Sequence, residues 1–304
     1  MAVTEAPVEA GTTSAASTGP GHKRRWTRFI LPTYTGAVIL YLFVPVLVMV
    51  AFGFNDYEGR FNLTWQGFTL RHYRNISDYP ALFEALRNSL EIAVLSTIIA
   101  TILGTLIALA LTRYQFRGRS GLNLFVFIPM ATPEVVLGVA LLAYFVTINF
   151  DTGFITIVVA HVMFSISYVV VTVKARTSGF DPSMEEAAQD LGATPWTTFW
   201  TVTFPLIFPG IMAAGLLAFV LSLDDYVITE FNSGRVETLP LWIYGISRFG
   251  VPAQVNVVGT VIFLIGIFYV LGSLDRARRQ DRTSTLTSVK DEILNSTRRP
   301  TPKP

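Results

Sequence analysis

Apolar runs near twenty residues long, set apart by short polar segments, decide what this chain can fold into. A bilayer core about 30 Å thick takes roughly 20 residues of helix to cross, and backbone amides inside it must be bonded within the helix. Six stretches meet that length: 29–54, 89–112, 122–148, 154–173, 206–229 and 255–273. Hydrophobic residues make up 51% of the chain and charged residues only 14%, where a soluble domain carries about a quarter charged. The expected fold class is an all-α membrane protein with about six transmembrane helices.

Positive charge sets the direction of the spans. Lys23, Arg24, Arg25 and Arg28 precede the first; Arg113, Arg117 and Arg119 follow the second. Lys174 and Arg176 follow the fourth, and Arg276, Arg278, Arg279 and Arg282 follow the sixth. On the other side, around 55–88, 149–153 and 230–254, acids balance or exceed bases. Both termini are expected in the cytoplasm. The first run is too long for a signal peptide and is read as an uncleaved span. Residues 1–28 form a basic, disordered tail, 29–273 the membrane domain, and 274–304 a second cytoplasmic tail.

Cysteine is absent and the histidines His22, His72 and His161 stand far apart, which excludes thiol chemistry and leaves no ligand spacing for a metal. His161 reads as a packed helix residue. Ser96, Ala100, Gly104 and Ala108 recur every fourth residue, as do Gly210, Ala214 and Ala218. Small residues at that spacing let helix backbones approach closely, here for packing within the chain rather than a dedicated dimer seam. Pro129 and Pro133 should kink the third span.

The polar segment between the fourth and fifth spans is the most informative. Ser183 and Glu186 have capping-box spacing, with Asp181-Pro182 as a competing start. Gly192 offers a left-handed stop, and Thr194-Pro195 begins a second helix carrying Trp196, Phe199 and Trp200. The outcome is helix, glycine elbow, helix. So short a helix is marginal alone and needs a partner or a surface to hold it.

Glu186-Ala187-Ala188, three residues to Gly192, then nine to Val202-Thr203-Phe204-Pro205, resembles the EAA signature of ABC-importer permeases, with Val202 and Phe204 as conservative departures. Leu223-Asp224-Asp225-Tyr226-Val227-Ile228-Thr229, Leu239-Pro240-Leu241-Trp242-Ile243-Tyr244 and Gly250–Asn256 are similar to the spermidine/putrescine type of that family. The resemblance implies a coupling helix that docks on a cytoplasmic ATPase through Glu185, Glu186, Ala187, Ala188, Asp190, Leu191 and Gly192, with Pro205 closing the motif. It implies an inner-membrane location and four partners: an ATP-binding cassette ATPase dimer, a second related permease, an extracytoplasmic solute-binding protein, and membrane lipid. Nucleic acid is not among them. No phosphate-binding loop is present in this chain, so ATP and Mg belong to the ATPase, and the chain is a non-enzymatic subunit without a cofactor.

Asp224, Asp225, Tyr226, Glu134 and Trp242 are the substrate-pathway candidates. Asp224 and Asp225 fall about 20–28 Å along the fifth span, and Glu134 about 18 Å into the third. An acid inside a membrane is costly and faces a cavity or a partner. No lysine or arginine lies within the spans to neutralise these. Such a path suits a flexible polycation, to which Tyr226 would add cation–π contact. The competing reading of the aspartates is helix capping, and of Glu134 the bonding of donors freed by Pro133. Rival functions are the same machine with another cargo (another cationic amine, an aminophosphonate, iron or a sugar), an ion-driven secondary transporter, or an intramembrane enzyme using the Asp224-Asp225 pair.

Overall fold

The computed structural model describes residues 24–59, 61–179 and 181–272, with side chains from residue 30. Of the expected tails 1–28 and 274–304, residues 1–23 and 274–304, with the arginines beyond 273, lie outside the described residues, while residues 24–28 begin the first helix. Those described are helical apart from loops and one isolated bridge, Asn55 to Phe68. Five helices are long and apolar enough to cross a membrane, and a bent pair would make a sixth.

The first helix, α1 (Arg24–Phe52), forms a unit of its own up to Ala51. From Ile30 to Phe52 it is apolar on every side, and most of these side chains are exposed. A helix without a polar face is one built for surroundings without water.

In the second unit three helices make the core: α2 (Pro80–Arg113), α5 (Phe154–Ser178) and α7 (Pro195–Asp224). The small-residue stripes are the reason they pack. Ala100 and Ala108 of α2 and Ala214 and Ala218 of α7 are buried with Val169, Val170 and Val173 of α5. At Gly104 a Cβ would lie 2.6 Å from a Val169 methyl, and at Gly210 2.7 Å from Cβ of Arg176. Only glycine admits helices this close. The stripes therefore serve packing inside the chain.

The spans differ from their expected limits in instructive ways. Helix α2 starts nine residues before its apolar run, with Pro80 in its first turn, where a missing N–H costs nothing. Leu82 and Ala85 pack there against Trp242. The third span is broken rather than kinked: α3 (Arg119–Ala131) and α4 (Glu134–Thr147) meet at 106°. Pro133 forces this, because its ring pushes Thr132 out of the helical region to an extended ψ of 133°. Pro129, by contrast, sits inside α3.

Between α5 and α7 lies the short α6 (Ser183–Asp190). After α7 come α8 (Val227–Asn232), α9 (Leu239–Ser247) and α10 (Ala253–Gly272). Residues 53–59 and 61–79 form a small lobe around fully buried Asn55, which donates to Asn62 Oδ1 at 2.6 Å and accepts from the Gln66 amide at 2.7 Å. Asn62 in turn donates to the Phe52 carbonyl, so this residue of an Asn-Leu-Thr triplet has a packing role.

Candidate functional site

Two places gather the residues singled out in the sequence: the elbow at α6 and the break between α7 and α8.

At the elbow, the competing helix start prevails. Asp181 Oδ1 accepts from the Ser183 amide at 3.0 Å and Pro182 precedes the first turn at φ −60°, so Ser183 is inside the helix rather than its cap. These Ser183 bonds hold the Asp181 carboxyl below the usual carboxylate range. Glu186 is not drawn back into a capping box and stands exposed. The far end closes with a full Schellman motif: Ala193 N–H to the Ala188 carbonyl at 3.1 Å and Gly192 N–H to Gln189 at 2.8 Å. Gly192 takes φ +89°, the left-handed conformation this motif requires. Thr194 Oγ1 then caps the next turn by accepting from the Thr197 amide.

Seven of the eight elbow residues named from the sequence lie in or beside α6, and they divide by face. Glu186, Ala187, Asp190, Leu191 and Gly192 are exposed, Leu191 at 89%, and Ala188 is half-buried. Glu185 turns the other way. Its Oε1 accepts from Arg113 Nη2, at the end of α2, and from Thr203 Oγ1 of α7. Glu185, one of the expected docking residues, thus ties the elbow to its own bundle.

Pro205 has a local consequence. Lacking an N–H, and with a ring that would strike the carbonyl four residues back, it cannot follow a regular α-turn. Residues Phe199–Thr203 widen into a π-turn, in which the Phe204 amide reaches the Phe199 carbonyl. The widening places Thr203 where it meets Glu185.

At the break, two adjacent acids have opposite fates. Asp224 is exposed at the last turn of α7. The Asp225 side chain is 5% exposed. Its carboxylate caps α8, accepting from the Thr229 amide at 2.8 Å, the Thr229 hydroxyl at 2.7 Å and the Ile228 amide at 3.4 Å. His161 of α5, itself 3% exposed, brings Nε2 within 3.3 Å of the same oxygen. Its Nε2 also lies 2.9 Å from Thr229 Oγ1, and its Nδ1 2.6 Å from Ser222 Oγ, which meets Ser96 Oγ at 2.9 Å. The group beside Asp225 is a histidine 64 residues before it, neither a lysine nor an arginine. An imidazole in an otherwise apolar span was the signal.

The remaining candidates scatter. Tyr226 stacks on Tyr244 with ring centroids 4.7 Å apart. Trp242, 7% exposed, belongs to the apolar cluster with Leu82, Ala85, Leu239 and Val258, so its ring is a packing element. Glu134 is exposed at the first position of α4, directly after the break, where a helix N-terminus favours an acid. It does not sit midway along a continuous span, as the sequence implied.

Comparison with known proteins fits this architecture. Residues 100–280 match the family described as binding-protein-dependent transport system inner membrane component. The chain is 36% identical over 259 residues to the Escherichia coli (strain K12) spermidine/putrescine transport system permease protein PotC, covering 85% of this chain and 97% of that one. It is 37% identical over 255 residues to the putrescine transport system permease protein PotI of the same strain, covering 79% and 90%. Among solved structures, a chain of a bacterial ABC transporter that imports alginate matches with a TM-score of 0.63 at 16% identity, over 84% of this chain and 98% of that one. The MetNI methionine ABC transporter matches at 0.52 and 19%, over 66% and 97%. The fold is thus shared well beyond recognisable sequence. This chain belongs to the inner-membrane components of binding-protein-dependent transport systems, the multi-pass, cofactor-free and non-catalytic permease subunits of ABC importers.

Proposed function

We propose that this permease carries polyamines of the spermidine/putrescine class inward across the membrane, with both termini and the α6 elbow in the cytoplasm. In this reading α6 docks into a cleft on one subunit of an ATPase dimer. A second, related permease completes the pathway, and a solute-binding protein delivers cargo on the outer side. The observation that carries it is the division of α6 into two faces. Its outward side (Glu186, Ala187, Asp190, Leu191, Gly192) is open to a partner, while Glu185 binds its back to α2 and α7. A helix fastened on one side and free on the other passes a push from its partner into the bundle.

Closure of the ATPases would draw two such elbows together and open the cavity outward; their separation would release cargo inward. The cargo assignment is supported by the names of the two permeases 36–37% identical to this chain. It is also supported by exposed Asp224 at the end of an apolar helix, where a carboxylate favours a passing ammonium. The test is purification of the tagged chain with its endogenous partners, followed by ATPase and uptake assays across polyamines, other amines and sugars. An ATP-binding chain should co-purify, and spermidine or putrescine should stimulate hydrolysis when the binding protein is present. A chain that transports without any ATPase, or a complex stimulated by sugars and indifferent to amines, would overturn the assignment.

A further inference from the structure

His161 stands between two hydroxyls and a carboxylate. Ser222 Oγ lies 2.6 Å from its Nδ1 and 2.9 Å from Ser96 Oγ, and either serine can donate in the second contact. On the other side Thr229 Oγ1 donates to Asp225 at 2.7 Å, so it accepts from His161 Nε2 at 2.9 Å. The Nε2–H therefore faces Thr229 Oγ1 and, 3.3 Å away, the Asp225 carboxylate, with the side chains of His161 and Asp225 both buried.

We propose that His161 is the internal partner of Asp225, and that this buried pair withdraws Asp225 from any translocated cation and fixes the 224–227 break so that, of the two adjacent acids, Asp224 presents the free carboxylate. The inference rests on the reading of the break as part of a cation pathway, and it makes His161 and Asp225 positioning residues. A buried carboxylate without a partner is strongly unfavourable, whereas a neutral hydrogen-bonded pair of similar size is tolerated. Asn also caps a helix as well as Asp, so removal of the charge at 225 leaves the start of α8 intact.

The experiment compares H161N, D225N, D225N/H161N and D224N in the transporter assembled with its own partner chains. It measures the yield of heat-stable complex and the KM for spermidine uptake into proteoliposomes. H161N should cut the yield about tenfold or more by stranding a buried carboxylate, and D225N/H161N should return it to within about threefold of wild type. D224N should leave the yield near wild type and raise KM about tenfold; the double variant should hold KM within about twofold. The proposal is overturned if the double variant assembles no better than H161N. It is equally overturned if D225N, fully assembled, raises KM as D224N does, since Asp225 would then meet the cargo itself. Wild-type complex that takes up no amine would refute the cargo assignment, while the yields would still decide the pairing of His161 with Asp225.

Discussion

Replacement of Gly192 by alanine isolates the conformational demand of the elbow. Nothing lies within 4 Å of the Cβ that alanine would add, so the substitution brings no collision. Its whole effect comes from φ +89°, where an L-residue other than glycine is strained by about 1–2 kcal/mol. The loop is exposed at Leu191 and Gly192, so in the free permease it relaxes and releases that strain. In the proposed docking, the ATPase then meets the geometry it needs in only a fraction of molecules, and apparent affinity falls by that fraction, about 5- to 30-fold. Asparagine tolerates the left-handed region better, so G192N should lose about half as much free energy. Binding of the purified ATPase to permease in nanodiscs gives the affinities, and proteoliposomes give substrate carried per ATP hydrolysed. If G192A bound and coupled like wild type, or if G192N were no milder than G192A, the Schellman turn would have no part in docking.

Two further perturbations test how the elbow and the core are held. E185Q and R113Q should each loosen α6 by about 0.5–1 kcal/mol, a partly exposed ion pair being modest in water, seen as faster limited proteolysis across 181–194; the charge-swapped R113E/E185R chain should recover part of the protection. Equal cleavage of E185Q and wild type would show that the tie anchors nothing. G104A puts a methyl 2.6 Å from a Val169 methyl and should cost about 1–3 kcal/mol of stability, measured as a lowered thermal midpoint. V169A in the same chain should restore most of it, and a failure to restore it would place the strain elsewhere.

The apolar runs gave the rough positions of five helices long enough to cross a membrane and, at the sixth, of a bent pair, because the length needed to cross a bilayer is written directly in hydropathy. The small-residue stripes named the right faces of α2 and α7 without saying what they faced; Val169 and Arg176 lie on a helix the stripes do not mention. Pro133 was expected to bend a helix and instead separates two. The restriction it puts on Thr132 is local and legible, while the 106° angle depends on what α4 packs against, including Ile228 and Phe231 at Gly138. The elbow was legible because capping, a glycine stop and a proline act over a few residues. The bonds of Glu185 were not legible, since its partners, Arg113 and Thr203, come from distant turns. Asp224 and Asp225 look alike in one dimension. What separates them is a single residue of rotation and a histidine from another helix.

The continuity of α2 has a consequence of its own. From Ser89, whose hydroxyl accepts the Leu239 amide, to Arg113 at the elbow is about 36 Å of helix at 1.5 Å per residue, with no proline or glycine break except the packed Gly104. Other members carry joints: a π-turn in α7, a 106° corner between α3 and α4, and a gap before α8. A shaft without a joint delivers displacement from end to end with little loss, whereas jointed members absorb it. Ser96 sits on that shaft and touches Ser222 partway along, so a shift begun at Arg113 arrives at the acids before it reaches the far rim.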